Sequence, residues 1–385
     1  MHFADNRNKI GKYIPAVVFL IFIYGMALWF IFSPKPDYSS SEKRYLQKFP
    51  EVTAEKLLSG DFGSEFETFF ADRFPQRNTW VGLNAYTALA EGNNGASGVY
   101  NCKNGYLINK PVSTENNLDK NIGAVADFAK SIDTPTTVML VPSTGYIVDD
   151  VLPTFHDKYN DDEDISEISS TLSKDKIGFV DLRERFKSEY KNGSQLYYKT
   201  DHHWTTKGAY TGYQELCKAL GITPIDDSTL KKDSYPDFYG TTYSSSGFWL
   251  TPPDNIEIWN NPKNSDRNIS VKITEGANIK TSGSMYFTDH LKEDDKYPVF
   301  IDGNHALTEI TNTNAKNGTI LLIKDSFSHS LAPFLAENYS KVVLVDLRYY
   351  KESVSDLVTT YNPEQVVVLY GIDNLATDTD IVWLK

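Results

Sequence analysis

Two short runs of residues carry the chemistry this sequence could perform. The first is Lys324-Asp325-Ser326-Phe327-Ser328. It follows the apolar run Ile320-Leu321-Leu322-Ile323, which reads as a buried strand, and it opens a helical stretch over 327–338. Open α/β sheets place their sites at the carboxyl ends of strands. A serine there meets the N–H groups and positive field of a helix N-terminus. The Ser326 N–H could then hold the oxyanion of a tetrahedral intermediate. The same residue types also cap helices, so nucleophile and N-cap both stand as readings of Ser326. The second run is Asp201-His202-His203-Trp204. A hydroxyl nucleophile needs a general base, and the base needs an orienting acceptor. Asp201 and His203, two apart, can supply both. Asp201, His202 and His203 could instead ligate a metal. Against that, adjacent histidines point in different directions, and no further His or Cys pair lies at a supporting spacing. A polar loop with a packed Trp204 is the plain alternative. His329, one helical turn after Ser326, is a second base candidate or a partly exposed helix residue.

Two weaker groups accompany these. Phe300-Ile301-Asp302-Gly303-Asn304 could set the Gly303 N–H and the Asn304 amide at an oxyanion, though Gly-Asn is also ordinary turn chemistry. Arg348 follows a strand end, where its fork suits a carboxylate or phosphate, or a surface salt bridge.

The elements that must position these residues are legible in outline. Strands are expected at 136–141, 179–182, 320–323, 342–345 and 366–369, and helices at 115–131, 167–174, 183–190, 207–220, 327–338 and 353–361. The closing β-α-β-α-β alternation implies an α/β fold with a doubly wound parallel sheet. Val99-Tyr100 and Tyr106-Leu107-Ile108 flank Lys103-Asn104-Gly105, a hairpin signal. Residues 225–317, rich in Asn, Ser, Asp, Tyr and Gly, read as an irregular insertion of loops and small strands before the nucleophile strand, without a core of its own. Its aromatics, Phe238, Tyr239, Tyr243, Phe248, Trp249 and Trp259, offer sugar platforms or local packing.

Tyr13 to Phe32 contains no charged residue, and at about 1.5 Å per residue it spans a bilayer core. A secretory h-region is only about 7–15 residues long. No small-x-small cleavage site follows Phe32, so a retained single-pass anchor is expected in preference to a cleaved signal peptide. Basic residues flank both ends and leave the orientation open. Short basic N-tails usually stay inside, which puts residues 1–12 in the cytoplasm and the large domain outside. The expected organisation is tail 1–12, transmembrane helix 13–32, linker and helical stalk 33–92, and main domain 93–385. The net charge of −13 argues against a nucleic-acid partner, because phosphate would be repelled. Two cysteines, Cys102 and Cys217, exclude a disulfide scaffold; they form one bridge, or Cys217 is a buried helix residue. Asn192, Asn268, Asn317 and Asn338 lie in Asn-x-Ser/Thr sites, which matter only in a glycosylating host.

Taken together, Thr200 to Tyr210, Lys324 to Ser328, Val345 to Tyr350, Phe70 to Arg77 and Phe300 to Asn304 resemble the sequence blocks of the DHHW proteins. That family is similar to the alginate O-acetylation proteins, which have an SGNH-hydrolase-like fold. The resemblance implies Ser326 as nucleophile, His203 as base, Asp201 as its orienter, and Gly303 and Asn304 as oxyanion partners. It implies no cofactor and no metal. It implies transfer of acetyl groups to a cell-envelope glycan, with the acyl donor supplied by a membrane-bound O-acyltransferase. An esterase, or an inactive glycan-binding or scaffold protein, fits the same blocks. One position departs from the family pattern: Lys324 stands where Gly usually precedes Asp-Ser, and a lysine there is expected to narrow the approach or add charge near the ester.

Overall fold

The computed structural model describes residues 3–39, 41–112 and 117–384, with side chains from Lys12 onward. The chain forms two compact units, residues 1–87 and 88–385. The first unit begins with a helix over Phe3–Phe32. Lys12–Phe32 is long and apolar enough to cross a membrane, with a mean hydropathy of 2.4 and no buried part. Within the expected helical stalk, Leu57 to Phe70 fall on two helices, Ala54–Ser59 and Asp61–Asp72, parted at Gly60 with φ +88°. Asp72 and Arg73 are buried and tie down the preceding segment. Asp72 accepts both Arg44 guanidinium nitrogens (2.5 and 3.0 Å) and the Gln47 N–H (2.8 Å), and Arg73 donates to Pro36 O (2.7 Å) and Gln47 O (3.0 Å).

The second unit is built on an eight-stranded mixed sheet. Its strands are β1 (Thr136–Val141), β2 (Gly178–Asp181), β3 (Ile269–Glu275), β4 (Asn278–Ser282), β5 (Leu307–Asn312), β6 (Asn317–Lys324), β7 (Tyr339–Val345) and β8 (Gln365–Gly371). The spatial order is β4-β3-β5-β7-β6-β8-β1-β2. The five strands expected from the sequence, β7, β6, β8, β1 and β2, are parallel to one another, with Ile323 opposite both Val345 and Val368. The chain leaves β6 for β7 on one side and returns as β8 on the other. β6 therefore lies at a switch point, where an open sheet parts to admit a ligand.

Period-2 alternation along β6 decides what each side chain meets. Ile320 and Leu322 pack with Leu331, Phe334 and Leu335 of the helix Ser328–Leu335, and with Trp204 and Tyr213. Leu321 and Ile323 pack on the other face with Ile122, Val125, Val354 and Leu357. Both faces are covered, which is why these strands read as unbroken apolar runs.

The insertion is more regular than its composition indicates. β3, β4 and β5 extend the sheet antiparallel to β7. A hairpin of Lys231–Phe238 and Asp254–Asn260 stands apart. It has a small apolar core of its own, with Phe238, Ile256, Ile258, Tyr286, Tyr297, Val299 and Phe300 gathered around Tyr198. The helix expected at 167–174 starts at Asp161, because four acidic residues in its first turn suit the positive helix end. The helix expected from Glu115 is present as Leu118–Ser131; residues 115 and 116 lie outside the described residues. The helix after Ser326 is shorter than expected and ends at Leu335.

Candidate active site

Ser326 follows β6 in a tight turn that Asp325 holds. Asp325 Oδ1 accepts the Phe327 N–H (2.9 Å), and Oδ2 accepts the Gly371 N–H (2.7 Å) and the Asn374 amide (2.7 Å). These bonds fasten the turn to the end of β8. Burial raises the Asp325 pKa, and the bonds from Asn374, Gly371 and Phe327 act in the opposite direction. The Ser326 N–H has no hydrogen-bond partner among the described residues and lies just before the helix Ser328–Leu335. Ser326 is therefore not that helix's N-cap, which is Phe327.

His203 reaches the serine from across the sheet end. Its Nε2 lies 2.7 Å from Ser326 Oγ, and its Nδ1 lies 2.5 Å from Asp201 Oδ1. These partners assign the proton to Nδ1 and leave Nε2 free to accept from the serine hydroxyl. Asp201, His203 and Ser326 are 1%, 4% and 9% exposed. Asp201 Oδ1 also accepts the His203 N–H (2.9 Å), which turns the aspartate back onto its own neighbour two residues on. Asp201 Oδ2 accepts the Thr241 N–H (2.6 Å) and hydroxyl (3.0 Å). Burial alone would raise Asp201, but the His203 and His202 charges and the bonds from His203 and Thr241 hold it well below the usual carboxylate range.

Surrounding packing fixes the imidazole. The Tyr297 ring stacks on His203 with centroids 4.0 Å apart and planes within 11°. The Trp204 indole N–H donates to Phe327 O (3.0 Å) and Ser330 Oγ (2.9 Å), which locks the helix after Ser326 to the loop that carries His203. Asp254 receives Thr200 N (2.8 Å) and Thr200 Oγ1 (2.7 Å), anchoring the start of that loop. Gly240 lies so close to Asp201 that a Cβ there would overlap the carboxylate.

Asp201, His202 and His203 bring potential ligand atoms within 4.8 Å of one another. Both Asp201 oxygens and both His203 nitrogens are engaged, and His202 Nδ1 lies 2.7 Å from Thr241 Oγ1. A cation would have to break the chain to the serine.

Two expectations are corrected. Lys324 does not reach toward an ester. It shares the face of Ile320 and Leu322, is 2% exposed, and donates to Asp346 Oδ2 (2.8 Å) and His329 Nε2 (2.8 Å). His329 is not partly exposed but 1% exposed. Burial and the Lys324 charge push its pKa well below the ordinary histidine value.

Arg348 pairs with Asp346 (2.6 Å) and donates to Asn304 Oδ1 (2.9 Å). The Gly303 N–H is bonded to Phe300 O (3.1 Å). Among the described residues no hydrogen bond joins Gly303, Asn304 or Arg348 to Ser326 or His203. Ile301, Asp302 and Gly303 all have positive φ (+50°, +67° and +86°), a turn steadied by ion pairs from Lys280 and His290 to Asp302. Of the insertion aromatics, Phe238, Phe248 and Trp259 are buried packing, while Tyr239, Tyr243 and Trp249 are partly exposed. Cys102 and Cys217 are both buried and unbridged, their thiols pushed up to about 12 by burial.

The functional residues not visible in the sequence are Gly240, Thr241 and Tyr297. Nothing in a lone Thr of a polar insertion marks it as a partner of an aspartate 40 residues upstream.

Residues 112–345 match the family model described as DHHW protein. The chain belongs to this family. Two solved structures agree in fold. A DHHW family protein from Eubacterium siraeum is 17% identical with a TM-score of 0.63, over 75% of this chain and 95% of that one. PatB1 of Bacillus cereus, solved with a sulfonyl adduct, is 20% identical with a TM-score of 0.61, over 74% and 97%. The O-acetyltransferase domain of Pseudomonas putida AlgJ is 14% identical with a TM-score of 0.48, over 75% and 95%. The curated protein sequences give no match.

Proposed function

We propose that this DHHW protein is a membrane-anchored, extracytoplasmic O-acetyltransferase that acts on a cell-envelope polysaccharide through an acetyl-Ser326 intermediate. The observation that carries the reading is the continuous buried chain from Asp201 to His203 Nδ1 and from His203 Nε2 to Ser326 Oγ, at 2.5 and 2.7 Å. It has the parts that an activated serine needs.

Ser326 Oγ attacks the acetyl carbonyl of the donor as its proton passes to His203 Nε2. Asp201 keeps the imidazole in the tautomer that accepts this proton and stabilises the imidazolium that forms. The Ser326 N–H, free of any backbone partner among the described residues, faces the developing oxyanion. Gly303 and Asn304, with Arg348 behind them, are the further groups proposed on the substrate side. The leaving group departs with the proton from His203. A glycan hydroxyl then repeats the sequence in reverse and regenerates Ser326. If water takes the place of that hydroxyl, the product is acetate and the enzyme is an esterase.

The apolar helix supports an anchor, and a short basic N-tail usually stays inside, so residues 1–12 are proposed on the cytoplasmic side and the large domain outside. That arrangement suits a donor delivered by a membrane-bound O-acyltransferase.

The test is intact mass and peptide mapping of the full chain in detergent after exposure to an activated acetyl ester. An acetyl group on Ser326 that disappears in His203→Ala is expected. An unmodified Ser326 in the folded protein would overturn the proposal in favour of a glycan-binding or scaffold role.

A further inference from the structure

Beside the triad lies a cavity of about 50 Å³ at the carboxyl ends of β1 and β8. Its wall is built from the immediate chain neighbours of the catalytic groups. Phe327 follows Ser326, His202 precedes His203, and Thr242 follows Thr241, which holds Asp201. Gly371 and Asn374, which bind Asp325, also line it. So do Ser143 and Asp373, whose side chains are hydrogen-bonded (3.1 Å).

Two features mark this as a polar site rather than a packing defect. Thr242 is 2% exposed, and its Oγ1 has no hydrogen-bond partner among the described residues. A buried hydroxyl left unpartnered is destabilising, and an incoming hydroxyl would relieve that cost. Asp373 presents a carboxylate to the same space, and no salt bridge neutralises it among the described residues.

We infer that this cavity is the acceptor subsite of the proposed transferase, taking a hydroxyl-bearing arm of the glycan between Asp373 and Thr242. The inference rests on the acyl-transfer reading above. By the measure in which one water needs about 10–15 Å³, the space holds a few heavy atoms and excludes a sugar ring. Only a projecting arm enters, and the ring stays outside. Burial pushes the Asp373 carboxyl up to about 6, so it is ionised at neutral pH and accepts the hydroxyl proton as a hydrogen bond. With the arm seated, an acceptor oxygen attacks the acetyl carbon on Ser326. The new C–O bond forms, its proton passes to His203 Nε2, the Ser326 Oγ–carbon bond breaks, and that proton returns to Oγ. Asp373 binds and orients the acceptor and takes no proton. Sites that hydrogen-bond a substrate hydroxyl discriminate strongly, because an empty site leaves buried polar groups unpaired.

The experiment uses the full chain in detergent, acetylated by an activated acetyl ester, with methyl glucoside as the acceptor probe. It measures the ratio of acetylated glucoside to free acetate, and the acetyl-Ser326 burst alongside. Asp373→Asn and Thr242→Val are each expected to lower the ratio at least about fivefold, roughly the loss of one hydrogen bond, with the burst persisting. Thr242→Ser, which keeps the hydroxyl, is expected to retain the ratio. An unchanged ratio in both variants overturns the inference, as does a wild-type protein that acetylates Ser326 but transfers only to water at saturating glucoside. Absence of acetyl-Ser326 in the wild type overturns the acyl-transfer reading instead.

Discussion

Tyr297 stands between two buried polar clusters that each contain a histidine and an aspartate. On one side its ring stacks on His203 at 4.0 Å; on the other it lies 6.1 Å from the ring of His329. Each histidine belongs to a cluster with a buried aspartate, Asp201 or Asp346. The difference is what occupies Nε2. In the first cluster it is a serine hydroxyl with a remnant of exposure. In the second it is the Lys324 ammonium, in a pocket where Lys324, Asp346 and His329 are at most 2% exposed. A cation on Nε2 opposes protonation of the ring, so His329 cannot act as a base. Burial of an Asp and a His is therefore not what makes a catalytic pair. The partner at the distal nitrogen decides, together with a path to substrate.

The comparison can be broken at either cluster. The largest effect is expected at the first. His203→Ala and Ser326→Ala should each lower acyl transfer by about 10⁴-fold, with thermal stability close to wild type, measured by acetyl release and melting. At the second, Lys324→Met leaves Asp346 buried with Arg348 alone. It should cost on the order of 3–5 kcal/mol in a denaturant titration, while activity per folded molecule falls far less. Near-total loss of activity in a folded Lys324→Met protein would show that the two clusters act as one.

A third buried acid sharpens the role of the cation. Arg348 and Lys324 hold Asp346 low against its burial. Asp161 is 3% exposed and accepts the Ser143 N–H (2.7 Å) without a cation on its carboxylate among the described residues; burial pushes it up to about 7. A carboxyl raised in the folded state binds more protons there than in the unfolded chain. Its contribution is fully present below the unfolded value near 4 and is lost as pH rises through about 7. Asp161→Asn keeps the accepting oxygen and removes the titration. It should gain on the order of 2–4 kcal/mol over wild type at pH 8 and little at pH 4, read from paired melts. A pH-independent difference would remove burial as the cause.

What was legible in the sequence follows the same physics. Parallel strands covered on both faces leave continuous apolar runs, so β1, β6, β7 and β8 could be found from composition alone. β3 could not, because it alternates Ile269, Val271 and Ile273 with Ser270, Lys272 and Thr274 inside a polar segment. The spacing of Asp201 and His203, and the position of Ser326 after its strand, were legible because local geometry dictates both. Lys324 was also legible in principle. Counting by twos from Ile320 and Leu322 puts it on the buried face that packs against the helix Ser328–Leu335, not in solvent. The contacts of Thr241 and Tyr297 were not, since they are made by tertiary packing across 40 and 94 residues of chain.

The smallest effect tests that last, non-local contribution. Thr241 gives Asp201 two bonds, one from the backbone and one from the hydroxyl, and the hydroxyl also meets His202 Nδ1. Thr241→Val keeps the backbone bond and the side-chain shape and deletes the hydroxyl. A single hydrogen bond to a charged group contributes about 1.5–3 kcal/mol, part of which water in this exposed position restores. A fall of about tenfold in the acylation rate is therefore expected, with the donor KM little changed, because Asp201 acts on the imidazole and not on the substrate. The rate should also begin to fall at a higher pH as the medium is acidified, since the hydroxyl bond to Asp201 Oδ2, which favours the charged carboxylate, is gone. Thr241→Ser should restore both the rate and the pH profile. If Thr241→Val leaves them unaltered, the backbone N–H and the His203 contacts alone position the aspartate, and the insertion contributes only shape to the first cluster.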